Sequence, residues 1–374
     1  MKKTIVLSAL LLAISCQSQK NQNFETLVFE EPVSKVQFFT DLVDSIDIIQ
    51  LDSNGDIMIS NTPSLIVSDS AYYIRNFATS GNRQISDAVI KFGLDGKFLS
   101  RIGGKENGIS NVINNFFLNS DTIGIVTAED SSINYFKTNG DLLNKVKISK
   151  GFAQAYKHNG ETILFRNSQH NASEYIDILN DKGETTASYL PIKNKVVTSF
   201  EVNPVFTIGD ANILYRMAYS STIYNRTKNG FEPKLVLDFG NKNKAMDEYL
   251  SSNGTIDEFS KMAKDTMYSI TKFYESANFY ALELFNGLSV PEYRCIYMIK
   301  DKRSGKVSYY NFEGAGTYLN NSLQFLKENK LYFIVDANNL ATIPEEFKSR
   351  IRNKNAFNEI IPTGNSVIVI ISLK

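Results

Sequence analysis

Residues Ile85–Gly103 read ISDAVIKFGLDGKFLSRIG, and this stretch decides the fold. Ala88–Phe92 is a short strand-like run, Leu94-Asp95-Gly96-Lys97 is a tight-turn signal, and Phe98–Ile102 is a second apolar run. The grammar is strand, turn, strand. It returns at Asn139-Gly140, Lys182-Gly183, Asn229-Gly230 and Ser304-Gly305, with glycine spacings of 44, 43, 47 and 75 residues. The longest gap holds a helical insertion near 242–271, and without it the spacing falls back to the mid-forties. A period of about 40–50 residues carrying four short strands is the signature of a β-propeller.

Working outward, the chain divides into six such units. The first runs through Ser64–Val67, Ala71–Asn76, Ala88–Phe92 and Phe98–Ile102. The last has Ser322–Leu326, Lys330–Val335 and Ser366–Leu373, but no fourth strand after its third. An open ring would expose an unpaired edge. The spare N-terminal runs Thr26–Phe29 and Ser45–Leu51 can fill that place, so an N-terminal strand is expected to pair with the C-terminal one. The fold class is therefore all-β, a six-bladed propeller of four-stranded blades closed by both chain ends. Within the insertion, Thr255-Ile-Asp-Glu258 matches a capping box. Ile256, Phe259, Ala263, Met267 and Ile270 then share one helical face, which docks on the rim or forms a lid. A short helix is expected near 343–354, with Pro344 in its first turn and Phe347 and Ile351 four apart.

The N-terminus gives an address. Lys2 and Lys3 precede an apolar run, Ile5–Ile14, too short to span a bilayer. Ala13-Ile14-Ser15-Cys16 resembles a bacterial lipobox, in which the cysteine is acylated and becomes the new N-terminus. Residues 1–15 read as a signal peptide, 16–25 as lipidated Cys16 and a polar tether, and 26–374 as the propeller domain. The expected location is the cell envelope, on the outer-membrane, periplasmic or cell-surface side, with the membrane engaged through the lipid alone. The second cysteine, Cys295, lies in a strand-like run and reads as a buried structural thiol. Lys plus Arg and Asp plus Glu both number 40. That balance argues against nucleic acid as the main partner, since phosphate binding needs a basic surface.

Three segments carry a family likeness: Phe39–Asp52 (FTDLVDSIDIIQLD), Val89–Gly103 (VIKFGLDGKFLSRIG) and Ile133–Leu142 (INYFKTNGDL). On these the chain resembles the bacterial six-bladed β-propeller lipoproteins of largely unknown function, relatives of NHL-repeat propellers. The likeness spans most of 25–374. One loop departs from the family pattern, reading Gly103-Gly-Lys-Glu-Asn-Gly-Ile-Ser110 where members often carry a Gly-Pro-Gly-Glu type. A family described by fold implies little chemistry.

The search for chemistry returns no metal and no cofactor. The two histidines, His158 and His170, have neither a His-x-His nor a cysteine pair beside them. Asp52-Ser-Asn-Gly-Asp56 begins like a calcium loop but meets Ile57 and Pro63 where glycine and glutamate are needed. No Gly-x-Ser-x-Gly elbow is present, so no catalytic residue is assigned. The topology points elsewhere. Loops joining second to third strands, and each blade to the next, emerge on one face. The candidate binding face there is Arg75, Asn76, Glu129, Asp130, Arg166, Asn167, Arg216, Asp336 and Asn338. The leading expectation is a non-enzymatic binding or scaffold propeller for a glycan, peptide or protein. The alternative is a propeller lyase or hydrolase, metal-assisted, with its site at the central channel.

Overall fold

In the computed structural model the described residues are 24–30, 41–53, 57, 59, 64–75, 78–80, 83–85, 88–107, 109, 113–127, 130–150, 152–166, 173–192, 205–208, 213–216, 220–243, 268–286, 294–313 and 323–374. Strands β1 (Glu25–Val28) and β2 (Val43–Gln50) precede the repeats. Blade one is β3 (Ser64–Val67), β4 (Ala71–Arg75), β7 (Val89–Gly93) and β8 (Phe98–Ile102), with a hairpin, β5 (Ala78–Ser80) and β6 (Arg83–Ile85), after its second strand. Blade two is β9 (Ile113–Asn119), β10 (Thr122–Thr127), β11 (Ser132–Lys137) and β12 (Leu142–Lys147). Blade three is β13 (Phe152–His158), β14 (Glu161–Arg166), β15 (Glu174–Leu179) and β16 (Thr185–Pro191). Blade four is β17 (Val205–Ile208), β18 (Ile213–Arg216), β19 (Thr222–Thr227) and β20 (Gly230–Asp238). Blade five is β21 (Tyr268–Glu275), β22 (Phe279–Asn286), β23 (Arg294–Asp301) and β24 (Val307–Glu313). Blade six is β25 (Leu323–Lys327), β26 (Lys330–Val335), β27 (Val367–Leu373) and, as its outer strand, β2.

The second strands are apolar almost throughout because a blade is buried on both faces, and alternate residues serve different neighbours. In β4, Tyr72 and Ile74 pack with Tyr332 and Ile370 of blade six, while Ala71 and Tyr73 pack with Phe116 and Ile123 of blade two. The same division repeats round the ring. Six hydrophobic clusters among the described residues each join two consecutive blades, and the one between blades six and one completes the circle.

The hairpin glycines do more than turn the chain. Gly96 has φ +84°, and a Cβ there would stand 2.3 Å from the Gln50 carbonyl oxygen on β2. Gly183 has φ +82°, and its Cβ would meet the Lys147 oxygen on β12 at 2.1 Å. These two outer hairpins thus sit against the outer strand of the preceding blade, at a distance only glycine allows.

The closure is the one expected. β2 pairs antiparallel with β27, from Val43 opposite Leu373 to Gln50 opposite Val367. β1 has a different fate: it joins blade four as a fifth strand, parallel to β20.

The helical expectations need correction. Residues 244–267 of the insertion lie outside the described residues, including Ile256, Phe259, Ala263 and Met267. Gly240–Asn243 forms a 3₁₀ turn. Ile270, expected on the helical face, is a strand residue: β21 begins at Tyr268 because β22 runs on to Asn286 and supplies its partners. Ile270 is buried between blades four and five. The single short helix near 343–354 is instead a 3₁₀ turn (Ala337–Thr342) followed by α1 (Glu345–Ser349) and α2 (Lys354–Asn358). The helix breaks because Ile351 leaves it to bridge Ile46 in parallel. The Ile46 amide donates to the Arg350 carbonyl at 3.0 Å, and the Arg352 amide donates to the Ile46 carbonyl at 2.9 Å. Asn353 then accepts from the Ile48 amide and donates to its carbonyl. The segment caps the outer edge of β2, which would otherwise present unpaired backbone to solvent. Phe347 and Ile351 are buried as the sequence spacing implied.

Candidate functional site

In blades one to four the last residue of the second strand is Arg75, Thr127, Arg166 and Arg216. These positions ring the face on which the second-to-third-strand connections emerge. Six of the nine residues singled out in the sequence are described; Asn76, Glu129 and Asn167 lie outside the described residues.

The six differ in what they do. Arg166 is committed to its own blade. Its Nε donates to Asp177 at 2.9 Å, and its other nitrogens reach the Lys150 carbonyl and Ser149 Oγ, each at 2.7 Å. Asp177, itself buried, also accepts from Ser188 at 2.7 Å. Asp130 orders the turn of blade two by accepting from Thr127, from Ser132 at 2.9 Å and from Lys145. Partial burial opposes its ionisation, but these donors outweigh that and hold its carboxyl below the usual carboxylate range. Asp336 caps the 3₁₀ turn by accepting from the Asn338 amide at 2.9 Å, and both residues are exposed. Arg216 is fully buried at the end of β18.

Arg75 points inward. Its Nη1 donates to the carbonyls of Ile113 and Asn114 on β9, and its Nη2 to Ser64 at 3.1 Å. Burial pushes its guanidinium down to about 10, opposed by the nearby Tyr156 hydroxyl. Tyr156 stands on β13, the inner strand of blade three, and Asn115 on β9 bonds to its neighbour Ala155. Burial pushes the Tyr156 hydroxyl up to about 12, against the opposing pull of Arg75. Tyr274, on the inner strand of blade five, is raised well above the ordinary tyrosine value by burial, then by Glu283 and Tyr156. These three side chains come from blades one, three and five. Arg75 thus reaches the inner strand of blade two, which Asn115 ties to the inner strand of blade three, while Tyr156 packs between the blades beside it and Tyr274 packs between blades five and six.

Glu283 is the residue the sequence reading missed. It is fully buried in β22. It accepts from Thr271 Oγ1 at 2.9 Å, from Lys272 at 3.4 Å and from the Tyr297 hydroxyl at 3.1 Å. The signal was present: Leu282-Glu283-Leu284 places a carboxylate inside an apolar strand. Such a group is tolerated only with partners.

Chemically, these residues offer two phenol rings, a desolvated guanidinium and a buried carboxylate held by a lysine and two hydroxyls. Among the described residues no group of three His, Cys, Asp or Glu is placed to hold a metal ion. A separate groove of about 530 Å³ lies on the rim, between β2, α2 and the outer hairpin of blade one, lined by Asp47, Gln50, Leu94, Asp95 and Glu359. It is remote from the channel.

Among solved structures, the chain is similar to a Bacteroides fragilis NCTC 9343 protein named as exported, with 12% identity, a TM-score of 0.70, and coverage of 93% of this chain and 99% of that one. It also aligns with a member of the duf4221 family from Bacteroides vulgatus (11% identity, TM-score 0.49, covering 89% and 97%) and with BamB from Moraxella catarrhalis (13%, 0.39, 94% and 94%). At 12% identity the likeness to the B. fragilis structure is one of fold. No curated protein matches the sequence. The profile of one family, described as a domain of unknown function, covers residues 25–372, and the chain belongs to that family, DUF4934.

Proposed function

We propose that this protein is a binding propeller of the cell envelope, held there by a lipid on Cys16, that takes a glycan or peptide segment of a partner at the mouth of its channel and does not turn it over. The observation that carries the reading is the placing of half-buried Tyr156 and Tyr274 on the inner strands of blades three and five, with Arg75 bonded to the inner strand of blade two and Glu283 held in blade five. Phenol rings offer apolar faces with a hydroxyl at the edge, which suits sugars and peptide groups alike. The charged members are already held by backbone carbonyls, hydroxyls or a lysine. This favours a fixed recognition surface over a group that must gain and lose protons. The leader supports the address, as does the exported name of the B. fragilis structure. A single acyl chain gives marginal membrane binding, so stable anchoring requires the multiple chains that a lipoprotein cysteine carries.

The test is a screen of envelope glycans and peptides against the protein without its leader, repeated with Tyr156→Phe and Tyr274→Phe. These variants keep the ring and remove the hydroxyl. Binding should weaken by roughly tenfold or less for each hydroxyl, in line with one lost hydrogen bond. Unchanged binding in both variants, or catalytic consumption of the ligand, would sink the reading.

A further inference from the structure

β1 is a fifth strand, added to a blade that is complete without it. Blade four has its four strands without it, and β20 is already paired to β19. β1 is added in parallel, whereas every ladder within the blades is antiparallel. No hairpin enforces its register. It is seated by its side chains. Glu25, Leu27 and Phe29 share the inward face. Glu25 pairs with Lys300 of blade five. Leu27 enters the cluster between blades four and five. The Phe29 ring lies 5.4 Å from those of both Phe239 and Tyr309. The Tyr309 hydroxyl donates to the Val28 carbonyl at 3.1 Å and accepts from the Glu30 amide at 3.2 Å, and the Phe29 amide donates to Asp238 at 2.8 Å. Val28 faces outward and is 63% exposed.

We propose that β1 is a replaceable strap, and that its seat along β20 is a strand-addition site for an extended segment of a partner protein. The segment would carry an acidic residue followed by apolar residues two and four positions on. The seat supplies the parts such recognition needs: a backbone edge for main-chain hydrogen bonds and pockets for alternate side chains. Lys300 at one end selects a carboxylate, and the Phe239–Tyr309 pair at the other selects an aromatic or large aliphatic side chain. Release of β1 leaves all six blades and the β2–β27 closure intact, so this opening is local.

Hydrogen exchange on the full chain tests the first half. The Leu27 and Phe29 amides should exchange on the order of 100-fold faster than those of Ile46 and Ile48 in β2. Exchange of both sets at one rate would overturn the proposal, because β1 would then open only with the whole ring. The second half uses a fluorescein-labelled peptide of residues 24–30, FETLVFE, added to full-length Leu27→Asp protein and read by anisotropy. The variant should bind it one to one and more tightly than the native chain, whose own β1 competes. Adding Tyr309→Ala should weaken binding about tenfold. A folded Leu27→Asp protein that ignores the peptide, or one that binds a scrambled peptide equally, would overturn the site. Failure of Leu27→Asp to fold would overturn the strap, since it would make β1 integral to the ring.

Discussion

Blades four and six both take an outermost strand from the N-terminal segment, and they use it in opposite ways. In blade six, β2 is a constituent: antiparallel to β27 along its full length, capped outside by Arg350–Asn353, with Val43, Ile46 and Ile48 buried at 0 to 1% exposure. In blade four, β1 is an addition: four residues, parallel, with Leu27 and Phe29 as its only buried apolar anchors. Proximity in sequence therefore says little about structural weight. What decides is whether a strand completes a sheet that would otherwise lack an edge partner, or extends one already complete.

That contrast can be broken by experiment. The largest effect is expected at Ile46→Ala, which opens a cavity at the ring closure and should cost about 4 kcal/mol in denaturant unfolding. Leu27→Ala, a similar truncation in β1, should cost about half as much or less, because the strap can shift or leave. Equal costs would erase the distinction. Next come two glycines at like positions in like hairpins. Gly96→Ala forces a methyl into the Gln50 carbonyl of β2 and should cost about 3 kcal/mol, combining positive φ with the clash. Gly305→Ala, in the outer hairpin of blade five, meets nothing within 4 Å and should cost only about 1 kcal/mol for its φ of +73°. Comparable losses at both would mean that the two seams are packed alike.

The smallest effect concerns pH. Asp41 leads into β2 and accepts from Lys306 at 2.9 Å and Tyr310 at 2.9 Å on blade five. Burial raises its carboxyl, but these donors outweigh that and hold it below the ordinary value. A carboxyl depressed on folding adds stability above its unfolded value, about 4, that is lost as pH falls through the lower folded value. Asp41 is half exposed, so screening limits the contribution to about 0.5 kcal/mol. Asp41→Asn should reduce stability by that much at pH 7 and by nothing near pH 2. A difference that persists in acid would show that the charge is not its source.

The ring was legible because its information is periodic. Asp95-Gly96 and its successors mark hairpins at a regular spacing, and the missing fourth strand of the last unit pointed to an N-terminal strand, which the fold shows to be β2. The features that escaped are those with no period. Four residues of β1 hold no signal that tells a parallel addition from a closing strand. Thr342–Lys354 has helical spacing, yet Ile351 finds a better partner in Ile46 than in the next helical turn. Glu283 was overlooked because polar residues were sought at strand ends, while its partners Thr271 and Tyr297 lie on neighbouring strands. Arg75 and Arg166 look alike in sequence; one reaches across to β9 of the next blade and the other to Asp177 of its own, and only the fold separates them.

The Asn353 clamp on Ile48 spans 305 residues of chain. A ribosome works from the N-terminus, so β2 leaves it long before its partners exist. During that interval the alternating residues of Val43–Gln50 are an unpaired, aggregation-prone edge. The ring closes only when Val367–Leu373 has been made, and a chain that stops short of it lacks the strand that joins β2 to β26. Closure is thus tied to the full-length chain.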